Sequence, residues 1–213
     1  MNQTHGRGQI GSSWESQPDK NIALSLIIYP TFLQANKQFD LNIAVSLAVH
    51  DTLNQILSQI PKNNLCSVKW PNDIYINEKK TAGVLIQNTL AGANIQSSII
   101  GIGLNINQLF FENLPKATSL AIATDQQYDL ENTLQLLCQS LEHRYIQLKS
   151  CNAKKLKEEY LAKLYRYKTE ALFQNQDGTR FFGKITGVDT IGKLIIQTEK
   201  GSETFALKEV QFL

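Results

Sequence analysis

The segment from residue 6 to residue 14, GRGQIGSSW, combines residue types that bind anions. Its three glycines and two serines allow the backbone to fold closely over a ligand. Arg7 offers a planar guanidinium for carboxylate or phosphate oxygens, and Trp14 offers a flat surface for a purine or another fused ring. A glycine-rich segment alone is a weak signal, so a surface loop whose tryptophan anchors it to the core remains an alternative.

A second segment, KWPND at residues 69–73, predicts a rigid turn that carries polar groups. The proline fixes one backbone torsion, and Asn72-Asp73 favours a turn between strands. The turn would present an amide and a carboxylate, and Asp73 could hold the magnesium ion that accompanies phosphates. Lys80 follows near the tip of a predicted hairpin, where its ammonium could neutralise charge on a phosphoryl group. The alternative is a structural turn, with Trp70 in the core and a solvated lysine.

The two segments together predict a site for an anionic ligand that carries an adenine. A further glycine pattern, GIGLN at residues 101–105, resembles part of a dinucleotide-binding fingerprint. It lacks the third glycine and the following helix, so a Rossmann fold is not predicted. The histidines and cysteines are isolated and indicate neither a metal site nor a nucleophile. They are His5, His50, His143, Cys66, Cys138 and Cys151.

The composition of the 213 residues is that of an ordinary soluble protein, with 42% hydrophobic residues, 19% charged residues and a net charge of +2. This charge gives no reason to expect nucleic acid or a membrane as a partner. The apolar runs are shorter than the ~20 residues that span a bilayer, and the polar N-terminus is not a signal peptide. With isolated thiols, these features predict a cytoplasmic protein.

The elements that must position these residues alternate between strands and helices up to residue 167. Asp40 is the predicted cap of a long helix that Pro61 ends, and Asp129 is the predicted cap of another that runs to Lys149. A third helix, at 153–167, is rich in lysine, but its interspersed glutamates indicate a solvated face rather than a nucleic-acid patch. The predicted strands cover residues 22–29, 65–70, 73–77, 81–87 and 95–106.

The pattern changes after residue 167. Short alternating segments are separated by turn residues, which is typical of a small β-barrel. The predicted strands cover residues 171–173, 180–188, 193–198 and 203–207.

The chemical motifs occur in one order along the chain. The glycine-rich loop comes first, then the KWPND turn, then Lys80 eleven residues after Lys69, then Gly83, and finally GIGLN. In this order they closely resemble the biotin protein ligase family, also called biotin–[acetyl-CoA carboxylase] ligases. The resemblance covers almost the whole chain, including residues 182–194 near its end.

The resemblance implies an α+β fold with two domains. Residues 1–167 would form a catalytic domain, a mixed β-sheet flanked by helices as in the class II synthetase-like biotin/lipoate ligase fold. Residues 168–213 would form a C-terminal SH3-like β-barrel.

The resemblance also implies a two-step reaction. The carboxylate of biotin attacks the α-phosphate of ATP to give biotinyl-AMP and pyrophosphate, with Mg²⁺ assisting. A lysine of a biotin carboxyl carrier protein, from acetyl-CoA carboxylase or a related carboxylase, then takes the biotinyl group and releases AMP.

The family's functional residues transfer to matching positions of this chain. Arg7 and Lys80 would be the catalytic residues, and Asp73 would bind Mg²⁺. The implied biotin-binding residues are Gln3, Gly6, Arg7, Gly8, Lys80, Gly83, Leu85, Gly101 and Gly103. The implied adenylate-binding residues are Trp14, Asn72, Asp73 and Asn105.

Three departures from the family pattern leave alternatives open. Gln9 stands where many members carry a second arginine. The earlier strand and helix with a Ser-Thr-Asn segment are not found, nor is an N-terminal helix-turn-helix, so we expect a short form without DNA binding. A non-catalytic biotin- or adenylate-binding protein and a lipoate or octanoate ligase are the competing functions. The sequence is compatible with a monomer or a homodimer.

Overall fold

The structure, a computed structural model, describes residues 6–8, 13–61, 64–112, 114–150 and 152–213. Its strands are β1 (Gly6–Arg7), β2 (Ser13–Trp14), β3 (Ile22–Ile28), β4 (Cys66–Lys69), β5 (Asp73–Ile76), β6 (Lys79–Ala91), β7 (Asn94–Leu104), β8 (Glu170–Asn175), β9 (Arg180–Val188), β10 (Leu194–Thr198), β11 (Gly201–Phe205) and β12 (Val210–Phe212). Its α-helices are α1 (Gln38–Leu57), α2 (Leu120–Thr124), α3 (Leu130–Lys149) and α4 (Ala153–Lys163). Within these ranges, every helix is too short or too polar to pass through a lipid bilayer.

The main sheet has five strands in the order β3-β7-β6-β5-β4, and every neighbouring pair is antiparallel. The expectation of a mixed sheet is therefore wrong for the described strands, because tight turns join β4 through β7 in sequence. Side chains alternate between the two faces of each strand. In β3, Leu26 and Ile28 point towards α1 and α3, whereas Ala23 and Ser25 are exposed on the opposite face. Among the described residues, α1 and α3 cover one face of the sheet and not the opposite face, which is called the open face below.

The long helix α1 begins at Gln38, after a single 3-10 turn at Ala35–Lys37. The prediction that Asp40 caps this helix is wrong, because Asp40 lies within the first turn, where a carboxylate still favours the helix N-terminus. The predicted cap of α3 is confirmed, since the Asp129 carboxylate accepts a hydrogen bond from the Asn132 N–H at 2.7 Å.

An ion-pair cluster joins α1 to α3 and α4. Arg144 donates from Nε to Asp51 Oδ2 at 2.6 Å and also binds Glu159. Burial alone would raise the pKa of the Asp51 carboxyl, but hydrogen bonds from His50 and Arg144, with their charges, hold that pKa below 3.8. The cluster therefore fixes the helical layer behind the main sheet.

The β5–β6 hairpin turns at Asn77 and Glu78, which have φ values of 49° and 66°. Two successive left-handed residues are typical of a type I′ turn. This is earlier than the predicted turn at residues 78–80, so Lys80 lies within β6 rather than at the tip. Next to the turn, the pairing of β5 with β6 shifts in register between Ile74 and Tyr75, and Lys80 pairs with Tyr75. The bulge turns the lysine side chain towards the open face.

The C-terminal strands form a second antiparallel sheet in the order β11-β10-β9-β8-β12. The strand β12 was not predicted. Among the described residues, the pairings leave β11 and β12 as the outer strands, so the predicted closed barrel is not confirmed. Contacts outside the strands join this part of the chain to the rest. Trp70, between β4 and β5, donates from Nε1 to the Gly192 carbonyl at 2.9 Å, and Tyr165, after α4, stacks on Phe212 of β12.

Candidate functional site

Three glycines on the open face of the main sheet form a flat surface, the glycine floor, made of Gly83, Gly101 and Gly103. Gly83 and Gly103 are cross-strand partners, and Gly101 pairs with Leu85 in the next row of the same face. Cross-strand partners lie on the same side of a sheet. Because none of the three carries a Cβ, a planar group can approach the backbone closely. The glycine spacing thus places all three residues on one face of the sheet, and their contact with biotin stays a prediction.

Trp14 covers one half of the glycine floor. It is held there by the pairing of β1 with β2, in which Gly6 is the partner of Trp14. A Cβ atom at Gly103 would overlap the indole ring, and one at Gly83 would lie 3.3 Å from indole Cζ3. At Gly101 the nearest described atoms would be Leu85 O and Cβ, at 3.8 and 3.9 Å. With respect to the residues that the structure describes, the half of the floor over Gly101 is therefore open.

A pair of opposite charges lies at the edge of the floor. Lys80 Nζ is 2.6 Å from Asp73 Oδ1, and both side chains are about one-third exposed. Asp73 is the cross-strand partner of Gly83, which places it beside the floor. Lys80 Nζ also lies 5.8 Å from the centroid of the Trp14 ring. The structure therefore brings Trp14 next to Lys80, Asp73 and Gly83, from which it is far away in the sequence.

The remaining loop residues fall partly outside the described structure. Gln3 lies outside the described residues, and so does Gln9. The backbone of Arg7 pairs with Ser13, one residue from the Gly6–Trp14 pair. The catalytic role of the Arg7 guanidinium stays a prediction. Gly8 is half-buried and follows β1 directly.

The described residues do not fit a protein-held magnesium ion. They contain no group of three or more histidine, cysteine, aspartate or glutamate side chains that could hold a metal. The single carboxylate of Asp73 is already paired with the Lys80 ammonium. Mg²⁺ needs several oxygen ligands in near-octahedral geometry. We therefore derive no step through a metal at Asp73.

Asn72 supports the turn rather than facing the floor. Its side chain is 6% exposed, and Nδ2 donates to the Val84 carbonyl at 2.8 Å. The preceding Pro71 carbonyl accepts hydrogen bonds from Asn42 Nδ2 at 3.0 Å and from the Tyr160 hydroxyl at 2.7 Å. These bonds fix the KWPND turn against α1, α4 and β6. Asp73 is the residue of this turn that lies beside the glycine floor.

Lys69, at the start of the same segment, also has a structural setting. Its Nζ donates to the Tyr75 hydroxyl at 3.1 Å and lies 5.1 Å from the centroid of Phe212. Burial lowers the pKa of Lys69, and burial raises the pKa of Tyr75 to about 12. The Tyr75 hydroxyl is therefore protonated at neutral pH. Lys69 contacts the C-terminal sheet rather than the glycine floor.

Two buried polar atoms lie at the end of the glycine floor where Asn105 follows β7. Asn105 Nδ2 donates to the Thr118 carbonyl at 3.0 Å, but Asn105 Oδ1 and Thr81 Oγ1 have no hydrogen-bond partner among the described residues. The two residues are neighbours, since the Asn105 N–H donates to the Thr81 carbonyl at 2.9 Å. An unpaired buried polar group costs about 1–3 kcal/mol. A bound molecule that reached these atoms would supply the missing partners. Thr81 was not singled out from the sequence.

Several known proteins are similar to this chain in sequence. The profile of the Biotin/lipoate A/B protein ligase family matches residues 1–105. The chain is 32% identical over 204 residues to "Bifunctional ligase/repressor BirA" of Bacillus spizizenii, covering 93% of this chain and 60% of that protein. It is 29% identical over 222 residues to "Biotin--[acetyl-CoA-carboxylase] ligase" of Paracoccus denitrificans, covering 97% of this chain and 86% of that protein.

A solved structure supports the same assignment. The biotin protein ligase from Aquifex aeolicus in complex with biotin and ATP superposes with a TM-score of 0.80 at 27% identity, covering 99% of this chain and 86% of that one. The chain is similar to biotin protein ligases in sequence and in fold. It spans about 60% of the length of the Bacillus proteins that it matches. The resemblance predicted from the motifs is confirmed, including the α+β character of the fold.

Proposed function

We propose that the chain ligates biotin to a lysine of a carrier protein in an ATP-dependent reaction through biotinyl-AMP. The observation that carries the proposal is the open half of the glycine floor, bordered by the Lys80 ammonium and the Trp14 indole. A flat apolar surface beside a positive charge suits a ligand that joins a ring system to a carboxylate. The similar Aquifex protein was solved with biotin and ATP, which supports the same ligands here.

In the first step, the biotin ring system would lie over Gly101 and its carboxylate would point towards Lys80. A carboxylate oxygen attacks the α-phosphorus of ATP, the new P–O bond forms, and the bond to pyrophosphate breaks. Both reactants are anions, so Lys80 must leave Asp73 and neutralise the charge between them. The loss of one such contact raises the barrier by about 3–4 kcal/mol. Arg7 is proposed as a second cationic group.

Trp14 is proposed to stack on the adenine. One side of its indole lies on Gly103, as the overlap with a Cβ there indicates, and offset stacking of aromatic rings contributes about 0.5–1.5 kcal/mol beyond burial. Asn105 Oδ1 is an acceptor for a ligand N–H at the same end of the floor. Holding both reactants on one rigid sheet supplies much of the rate enhancement through positioning.

In the second step, the amine of a carrier lysine attacks the acyl carbon of biotinyl-AMP. An amide bond forms and AMP leaves with the bonding electrons of the acyl–oxygen bond. The proposed partner is a biotin carboxyl carrier protein of acetyl-CoA carboxylase or a related carboxylase. Residues 1–167 would be the catalytic domain and residues 168–213 an SH3-like domain; the separate hydrogen bonding of the two sheets supports this division. The free thiols of Cys66 and Cys138 support a cytoplasmic location.

The test combines the purified chain with biotin, ATP and an unmodified carrier domain. We expect AMP release and a carrier mass increase equal to one biotinyl group. Parallel reactions with lipoate and octanoate test the related ligase activities. Biotin binding without pyrophosphate release would instead favour a non-catalytic binding protein, and turnover with lipoate alone would favour a lipoate ligase.

A further inference from the structure

The segment that follows Trp14 is bound by a buried side-chain amide, that of Gln108. The Gln108 side chain is fully buried. Its Oε1 accepts hydrogen bonds from the Gln17 N–H at 3.0 Å and from Asn21 Nδ2. Its Nε2 donates to Glu15 Oε1 at 3.1 Å and to the Phe110 carbonyl at 2.8 Å. These four bonds use the complete hydrogen-bonding capacity of the amide.

Glu15 is bound from two directions. Besides Gln108, its Oε1 accepts from the backbone N–H of Glu112 at 3.3 Å. Because Glu15 directly follows Trp14, this carboxylate fixes one side of the tryptophan, while the backbone pairing with Gly6 fixes the other. Bonds to an ionised carboxylate are stronger than those between neutral groups.

Gln108 also belongs to the segment that carries the floor. It lies five residues after Gly103, and the intervening Ile106 N–H donates to Asn21 Oδ1 at 3.0 Å. The same short stretch of chain therefore holds both the glycine under the indole and the amide that binds the residue after the indole. A change at Gln108 would alter the position of Trp14 relative to Gly103 without touching either.

We propose that Gln108 is a positioning residue that acts through Glu15 to set the Trp14 indole on the glycine floor. It does not touch the reacting atoms. Its consequence for catalysis, the retention of biotinyl-AMP by stacking of the adenine on the indole, rests on the proposed function. None of the motifs in the sequence pointed to this residue, because its four partners lie up to 93 residues away.

The test uses the chain labelled with 5-fluorotryptophan, whose ¹⁹F spectrum has two resonances because the chain has two tryptophans. A Trp14→Phe variant assigns them. In Gln108→Glu, the new carboxylate faces that of Glu15 and the donor is lost. We expect the Trp14 resonance to move towards the position of solvent-exposed fluorotryptophan, and biotinyl-AMP to dissociate about tenfold faster.

Two further variants define the outcome. Adding Glu15→Gln to Gln108→Glu restores the bond between the two side chains with donor and acceptor reversed, while the Phe110 carbonyl stays without its donor. Both measurements should therefore move back towards those of the parent. Gln55→Glu, an exposed position on α1, adds the same charge elsewhere and should change neither. If Gln108→Glu does not fold, Glu15→Ala breaks the same link at a half-buried position and should move the same resonance.

A Trp14 resonance that stays in place in folded Gln108→Glu, or that the double variant does not move back towards its parent position, would overturn the positioning role. A displaced resonance with unchanged biotinyl-AMP dissociation would overturn the catalytic consequence. The ¹⁹F spectrum needs no ligand. If the parent forms no biotinyl-AMP while the resonance responds as expected, the proposed function fails and the positioning role is supported.

Discussion

Replacing Gly101 by alanine puts a methyl group on the open half of the glycine floor. In the ligand-free chain the new carbon meets Leu85 O at 3.8 Å and Leu85 Cβ at 3.9 Å, which are ordinary van der Waals contacts. Alanine also loses less backbone entropy on folding than glycine does. We therefore expect the free energy of unfolding to stay the same or to rise by less than ~1 kcal/mol.

The same methyl group should interfere with biotin. A ring that lies directly on the Gly101 backbone must lift away or tilt, and inserting one carbon into a filled contact costs about 1–3 kcal/mol. Each 1.4 kcal/mol is a factor of ten in affinity, so the dissociation constant for biotin should rise roughly 5- to 150-fold. The perturbation thus separates binding from stability.

Titration calorimetry measures the dissociation constant for biotin, and unfolding in urea measures the free energy of unfolding. Gly187→Ala is the matched control, because Gly187 lies in β9 and a Cβ there meets its nearest described atom, Ile195 Cδ1, at 3.7 Å. It should affect the free energy of unfolding by no more than Gly101→Ala does and should leave the affinity for biotin unchanged. Unchanged biotin affinity in a fully folded Gly101→Ala variant would refute the placement of the ligand on the floor.

Three other changes test separate parts of the account. Lys80→Met should slow biotinyl-AMP formation in single-turnover measurements by roughly 10²- to 10³-fold, yet change the free energy of unfolding by less than ~1 kcal/mol, because its ion pair is partly exposed. Trp70→Phe should lower the free energy of unfolding in urea by about 1–3 kcal/mol, because the Gly192 carbonyl loses its donor. The hydrogen bonds and charges that lower the pKa of Asp51 stabilise the fold above pH 3.8. This stabilisation is lost as the pH falls below that value. Asp51→Asn should therefore be less stable at neutral pH and show a flatter acid-unfolding curve.

Each of these has a result that would contradict it. Lys79→Met alters the exposed neighbour of Lys80 and should leave the adenylation rate unchanged; equal slowing by both variants would remove the specific role of Lys80. A Trp70→Phe variant as stable as the parent would show that the indole bond to the C-terminal sheet contributes nothing. Parallel acid-unfolding curves for Asp51→Asn and the parent would refute the linkage.

Local sequence pattern predicted the strands of the main sheet but not their ends. β6 continues to Ala91, beyond the predicted end at residue 87, because Asn88 and Thr89 pair with Ser98 and Ser97 of β7. Ser98 Oγ also donates to Asn88 Oδ1 at 2.7 Å. Such cross-strand bonds stabilise polar residues that have weak strand preference on their own. Their partners become known only from the tertiary structure.

The candidate site also contains both residues that the sequence predicted and contacts that it could not predict. The glycine spacing and the motif order identified Gly83, Gly101, Gly103 and Lys80. The contact of Trp14 with Gly103 joins residues 89 positions apart, and no local pattern encodes it. For Asn72, the structure adds a hydrogen bond to the neighbouring strand that the turn motif alone could not reveal.

The central claim is that biotin lies on the glycine floor beside Lys80. Titration of the ¹⁵N-labelled chain with biotin, followed by the backbone amide resonances of its glycines, tests it most directly. The account predicts large shifts at Gly83, Gly101 and Gly103 and none at Gly183 or Gly187 in the C-terminal sheet. Saturable shifts confined to other residues, with the three floor glycines unmoved, would contradict it.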